Sequence, residues 1–88
     1  MTEAEAVLVA SSRAVSEDVL RVIAMNRDFT KNYQVKFNLV SNPRTPFTFA
    51  SRLVPHLRDG DLRTLARSKN VPGAISTAAR QQLLRKQK

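Results

Sequence analysis

The pentapeptide Asn42-Pro43-Arg44-Thr45-Pro46 constrains this chain more than any other stretch. Two prolines in five residues rule out both a continuous helix and a central strand. Pro43 keeps the residue before it out of the α region, and Pro46 has no N–H to give to a ladder. Thr45 is a suitable N-cap, and Pro46 suits the first helical position, where a missing N–H loses no bond. The stretch therefore reads as a rigid corner that ends one helix near Ser41 and launches another from Phe47 to Leu57. Phe47, Ala50, Leu53, Val54 and Leu57 supply the apolar side of that second helix. Pro55 removes the bond to the Ser51 carbonyl and is expected to kink or close its last turn.

The corner recurs. Arg44-Thr45-Pro46 aligns with Asn70-Val71-Pro72 and, more faintly, with Ala14-Val15-Ser16, at intervals of 26 and 30 residues. Each corner opens a helix, and a second helix precedes the next corner. That is the signature of helix-pair units too small to bury their apolar faces alone, so that neighbours stack into one continuous core.

Between the corners the helical signals are local. Thr2 followed by Glu5 is a capping box, with Ala4, Val7, Leu8 and Ala10 behind it. Ser16 caps the next helix, Glu17 and Asp18 fill its first turn, and Val19, Leu20, Ile23 and Ala24 form its stripe. Arg27–Asn32 reads as a polar loop anchored by Phe29. Tyr33–Val40 fits a strand, with Tyr33, Val35, Phe37 and Leu39 alternating, and also a helical stripe of Tyr33, Phe37 and Val40. No convincing partner strand exists, so a helix is expected. Asp59 or Asp61 is placed to cap a helix carrying Leu62, Leu65 and Ala66, with Arg63 and Arg67 outside. Pro72 is placed at the first position of a last helix that turns Ile75, Ala78, Ala79 and Leu83 inward. The expected core is Val19, Leu20, Ile23, Phe37, Val40, Leu53, Val54, Leu57, Leu62, Leu65, Ile75 and Ala79.

A chain of 88 residues is one domain at most. Residues 1–84 are assigned to it, and 85–88 to a fraying basic tail. No cysteine is present, so disulfides, thiolate metal sites and nucleophilic thiols are excluded. The acidic start Thr2-Glu3-Ala4-Glu5 is no secretory leader, and no apolar run approaches the ~20 residues that span a bilayer. A cytoplasmic protein without membrane attachment is the expectation. The charge is uneven. Residues 1–40 hold five basic and five acidic side chains, whereas 41–88 hold ten basic and two acidic, so the whole +8 falls in the second half. Such asymmetry suits a surface facing a polyanion, with a solubilising coat as the alternative.

At Asn42-Pro43-Arg44-Thr45-Pro46 the chain resembles the leucine-rich repeat variant family, whose repeats carry an Asn-Pro-x-Thr-Pro turn leading into a helix and belong with the HEAT-like α-solenoids. The resemblance covers Val40–Ala66 well and Ser68–Leu84 in part, with Lys69 in place of Pro43, and is weak before Leu39. Asn26–Leu84 is also similar to small uncharacterised helical proteins of myxobacteria and related bacteria. The resemblance implies a fold and no activity. A metal-cluster domain accompanies such repeats in one family context; without cysteine none is carried over, and no cofactor is expected.

Residues able to do chemistry are few and isolated. His56, the lone histidine, has no Asp, Glu or His at ligand spacing, and Asp59 and Asp61 are better used at a helix start than as an acid–base pair. Ser11, Ser12 and Ser16 lack a base, and the two glycines, Gly60 and Gly73, make no phosphate-cradling loop. No catalytic activity is expected. The basic residues point elsewhere. Arg13, Arg44 and Lys69 hold nearly equivalent corner positions, and Arg63, Arg67 and Arg80 lie opposite the core stripes, so the six are candidates for a basic ridge. Exposed helix N-termini along that edge suit phosphate. The expectation is an all-α, HEAT-like, right-handed stack of about five or six short helices. It serves as a non-enzymatic interaction module whose basic face binds an acidic protein partner. Binding to the nucleic-acid backbone, without base readout, is the alternative, and an anionic-nucleotide sensor is a third.

Overall fold

All the secondary structure in the computed structural model, described over residues 2–86, is helical. The order is α1 (Glu3–Ser11), α2 (Glu17–Met25), α3 (Arg27–Thr30), α4 (Tyr33–Ser41), α5 (Phe47–Leu53) running into a 3₁₀ turn (Val54–His56), α6 (Asp59–Arg67) and α7 (Gly73–Lys86). The all-α expectation holds, with seven α-helices among the described residues instead of about five or six. The extra one is α3, where a loop was expected. Its four residues follow Asn26, which caps the end of α2 and the start of α3 and whose Oδ1 accepts from Asp28 N–H (2.9 Å) and Phe29 N–H (3.3 Å). α7 takes in Arg85 and Lys86 of the expected 85–88 tail, and Gln87 and Lys88 lie outside the described residues.

Tyr33–Val40 is helical because its apolar residues serve two neighbours at once. Val35 and Leu39 join a cluster with Ala6, Ala10, Leu20 and Ile23, while Val40 joins Ala50, Val54, Leu57, Leu62, Leu65, Val71, Ile75 and Ala79. A helix apolar on two sides shows no single clean stripe, hence its strand-like alternation. The Cα envelope of 39 × 23 × 18 Å is about two helix diameters thick. The core accordingly divides into these two clusters, bordered in common by Leu53. Of the expected core, Val19, Phe37 and Leu53 are half-buried and the rest buried. Two other expectations need correction. Leu8 (71% exposed) and Phe47 (51%) face outward. α1 instead turns its small residues Ala6 and Ala10 inward, and Phe47 starts α5 one turn before its buried face begins at Ala50.

The three corners share one local geometry. In each, the first residue's side chain accepts the N–H two residues on: Ser12 Oγ from Ala14 (3.2 Å), Asn42 Oδ1 from Arg44 (2.9 Å), Ser68 Oγ from Asn70 (3.1 Å). The fourth residue turns inward: Val15, Thr45, Val71. The fifth precedes a helix: Ser16, Pro46, Pro72. Pro46 and Pro72 are therefore N-caps and not first helical residues, their carbonyls accepting from Ala50 and Ser76. Thr45 caps nothing, and its hydroxyl is buried without a hydrogen-bond partner among the described residues. Where the equivalent positions hold valine, this threonine carries only a desolvation cost. Thr45→Val is expected to raise the unfolding free energy by about 1 kcal/mol, read as a higher denaturation midpoint. A lower midpoint would mean that the hydroxyl is bonded.

Helix ends are satisfied by side chains from later helices. At the end of α1, Ser12 N–H closes onto the Val9 carbonyl (3.0 Å), while Asn42 Nδ2 donates to the carbonyls of Ala10 (2.8 Å) and Ser12 (2.9 Å). One turn back along α4, Asn38 Nδ2 donates to the Val7 carbonyl (2.8 Å). At the end of α6 the same pattern recurs from α7: Ser76 Oγ donates to the Leu65 carbonyl (3.1 Å), and Arg80 Nη2 reaches the Ala66 carbonyl at 3.4 Å. Both pairs are spaced i, i+4, which puts them on one helix face.

At the start of α6 neither Asp59 nor Asp61 is the N-cap; Arg58 holds that position. Asp61 accepts from the Tyr33 hydroxyl, which in turn accepts Arg58 N–H (2.9 Å), and the Arg58 guanidinium lies 4.4 Å from the Tyr33 ring centroid. Burial, and then the bond to Asp61, raise the Tyr33 phenol above its ordinary value.

The α1 capping box forms as expected, Thr2 N–H donating to Glu5 Oε1 (3.0 Å) and Glu5 N–H to Thr2 Oγ1 (3.2 Å). The bond from the Thr2 N–H holds the Glu5 carboxyl below its ordinary 4.5. A depressed carboxylate contributes stability above its unfolded value and loses it as pH falls through the folded one. Amide exchange in the first turn of α1 is therefore expected to speed up as pH drops below about 4.5, after correction for intrinsic rates, and to be unchanged in Glu5→Gln.

Candidate anion-binding groove

A broad concavity gathers residues from segments far apart in the sequence. One lobe, of about 630 Å³, is lined by Ala24 and Met25 from α2, Arg27 and Thr30 from α3, and Phe49, Arg52, Leu53 and His56 from α5 and its 3₁₀ turn. A second lobe of about 310 Å³ shares Arg27, Thr30, Leu53 and His56 and adds Lys31 and Lys36. The lining thus holds Arg27, Lys31, Lys36 and Arg52 together with His56, and no carboxylate. None of the four permanent cations is in an ion pair among the described residues, whereas Arg21 pairs with Glu17 at 3.7 Å on α2.

The fold explains this concentration of charge. α5 and α7, the helices that follow the second and third corners, pack on each other. α2 and α5, which follow the first and second, are instead lined apart by the groove, and the short α3 fills the longer interval between those corners. Acids of the first half sit at helix starts (Glu3 and Glu5 on α1, Glu17 and Asp18 on α2, Asp28 on α3), where they favour the helix dipole. The basic side chains of α3 and α4 are thereby left facing Arg52 and His56 without counter-charges in the lining. Apolar side chains share the lining with these cations: Leu53 and Phe49 are half-buried, and Met25 is 66% exposed. Such a surface can hold an anion by charge and an apolar group by contact at the same place.

The six residues of the expected ridge lie outside this groove. All are exposed. Arg13 and Arg44 occupy adjoining corners, tied by the Asn42–Ser12 bond. Arg63 and Arg67 are one turn apart on α6. Lys69 follows in the third corner, and Arg80 lies back over the end of α6 through the Ala66 carbonyl. His56 belongs to the groove wall. Among the described residues no three His, Asp or Glu side chains come together to hold a metal ion, and no helix is long and apolar enough to cross a membrane. The groove cations were missed at the sequence level. Arg27, Lys31 and Lys36 fall in a half whose charges cancel on paper, and nothing local ties them to Arg52 and His56.

No family model, curated protein or solved structure matches this chain.

Proposed function

We propose that the chain is a non-enzymatic interaction module: a short stack of helix-pair units of the HEAT-like kind whose basic face engages an acidic protein in the cytoplasm. The repeat reading is supported by the three corners of common geometry and by the matching i, i+4 ties from α4 and from α7. The binding reading rests on one observation above all, the carboxylate-free groove lined by Arg27, Lys31, Lys36, Arg52 and His56. Cations left unpaired at a concave surface raise the local concentration of an anionic partner and speed its association.

The test is titration with labelled polyglutamate and with duplex DNA at about 50 and 200 mM salt. Binding to polyglutamate that weakens with salt is expected. No binding to either polymer at the lower salt would remove the basic face as an interaction surface. A second reading, attachment to the nucleic-acid backbone, is favoured by the exposed Arg13 and Arg44 at adjoining corners. It predicts that duplex DNA outcompetes polyglutamate.

A further inference from the structure

We infer that the groove between α2–α3 and α5 is the docking site for an acidic protein segment that carries large apolar side chains between its carboxylates. The inference rests on the interaction-module reading and narrows it to one site and one partner chemistry. Three features carry it. Cations line both lobes, from α3 and α4 (Arg27, Lys36) and from α5 (Arg52), which suits carboxylates spaced along an extended or helical segment. The lining also holds the aliphatic side chains of Ala24, Met25 and Leu53 and one half-buried aromatic, Phe49. A polyanion of pure charge has no use for these side chains, and an exposed Met adapts to varied apolar side chains. A single-stranded nucleic acid would match the charge but calls for several flat stacking faces, and the lining offers Phe49 alone beside a lone His56.

The test uses fluorescence anisotropy on the full chain with three short labelled probes. The first interleaves Glu or Asp with Leu and Phe. The second has the same number of Glu with Gly and Ser in place of the apolar residues. The third is oligothymidylate of the same charge. The interleaved peptide is expected to bind about tenfold or more tighter than either of the others. Met25→Ser, at a side chain that is largely exposed and so leaves the core intact, is expected to remove most of that advantage. Arg27→Glu with Arg52→Glu is expected to remove binding, with circular dichroism verifying the fold of each variant. Equal affinity for the two peptides, or tighter binding of oligothymidylate, would overturn the acidic–apolar partner. Binding that survives Arg27→Glu/Arg52→Glu and is lost in an Arg13→Glu/Arg67→Glu variant would overturn the groove while leaving the basic-face module standing. Failure of every probe at low salt would remove both.

Discussion

Asn42→Ala is expected to lower the unfolding free energy by about 3 kcal/mol. The side chain is 4% exposed and works on three fronts: Nδ2 donates to the Ala10 and Ser12 carbonyls, and Oδ1 accepts the Arg44 N–H. Alanine strands those carbonyls at the end of α1. Each buried polar group left without a partner costs about 1–3 kcal/mol, and the Ala10 bond is the one most shielded from water. Against a total of about 4–13 kcal/mol for a domain of this length, that loss is visible in any urea or thermal melt. Asn42→Ser separates the roles. Serine already closes the same turn at Ser12 and Ser68, so it keeps the turn but cannot reach back to α1. An intermediate loss is expected. If Asn42→Ser costs as much as Asn42→Ala, the tie to α1 carries nearly all the energy; if Asn42→Ala costs under about 0.5 kcal/mol, the corners are not held together in this way.

The second large effect concerns binding. Reversing Arg27, Lys36 and Arg52 to glutamate is expected to weaken an acidic partner by about a hundredfold or more. Each exposed ion pair contributes about 0.2–1 kcal/mol, and reversal turns attraction into repulsion of similar size, so three sites give about 3 kcal/mol. The matched control reverses Arg13, Arg63 and Arg67. Each reversal removes two charges, so both variants fall from +8 to +2. With long-range charge equal and screened within ~8 Å at physiological salt, the control is expected to lose only a few-fold. Equal losses would mean that net charge, not the groove, holds the partner.

Much of the fold could be read from short-range chemistry. Thr2 with Glu5, and Ser16 with the acids after it, announce α1 and α2 within four residues, and both helices begin there. The corners were legible because proline at positions 46 and 72 limits the backbone whatever the tertiary context. Their capping was not. The spacing suggested Thr45 as the cap, yet its side chain turns into the core at the place held by Val15 and Val71, a decision made by packing. α3 was missed because four residues with a single apolar side chain, Phe29, show no periodicity, although Asn26 and Asn32, each accepting two backbone N–H groups, bracket it. The groove lay beyond reach for another reason. Its charges come from two stretches about 20 residues apart, and counting by halves cancelled Arg27, Lys31 and Lys36 against acids that the fold places at helix starts. The ridge residues looked connected because they recur in register; the fold leaves them exposed and brings a different set into a concave surface.

The most direct test of the groove is a backbone amide NMR titration with the interleaved acidic–apolar peptide. Shift changes are expected to concentrate in residues 24–36 and 49–56, the two segments that line the groove, and to be weak at Arg13, Arg44 and residues 63–69. Changes centred on those corners and on α6, with residues 24–36 and 49–56 silent, would contradict the groove as the binding site.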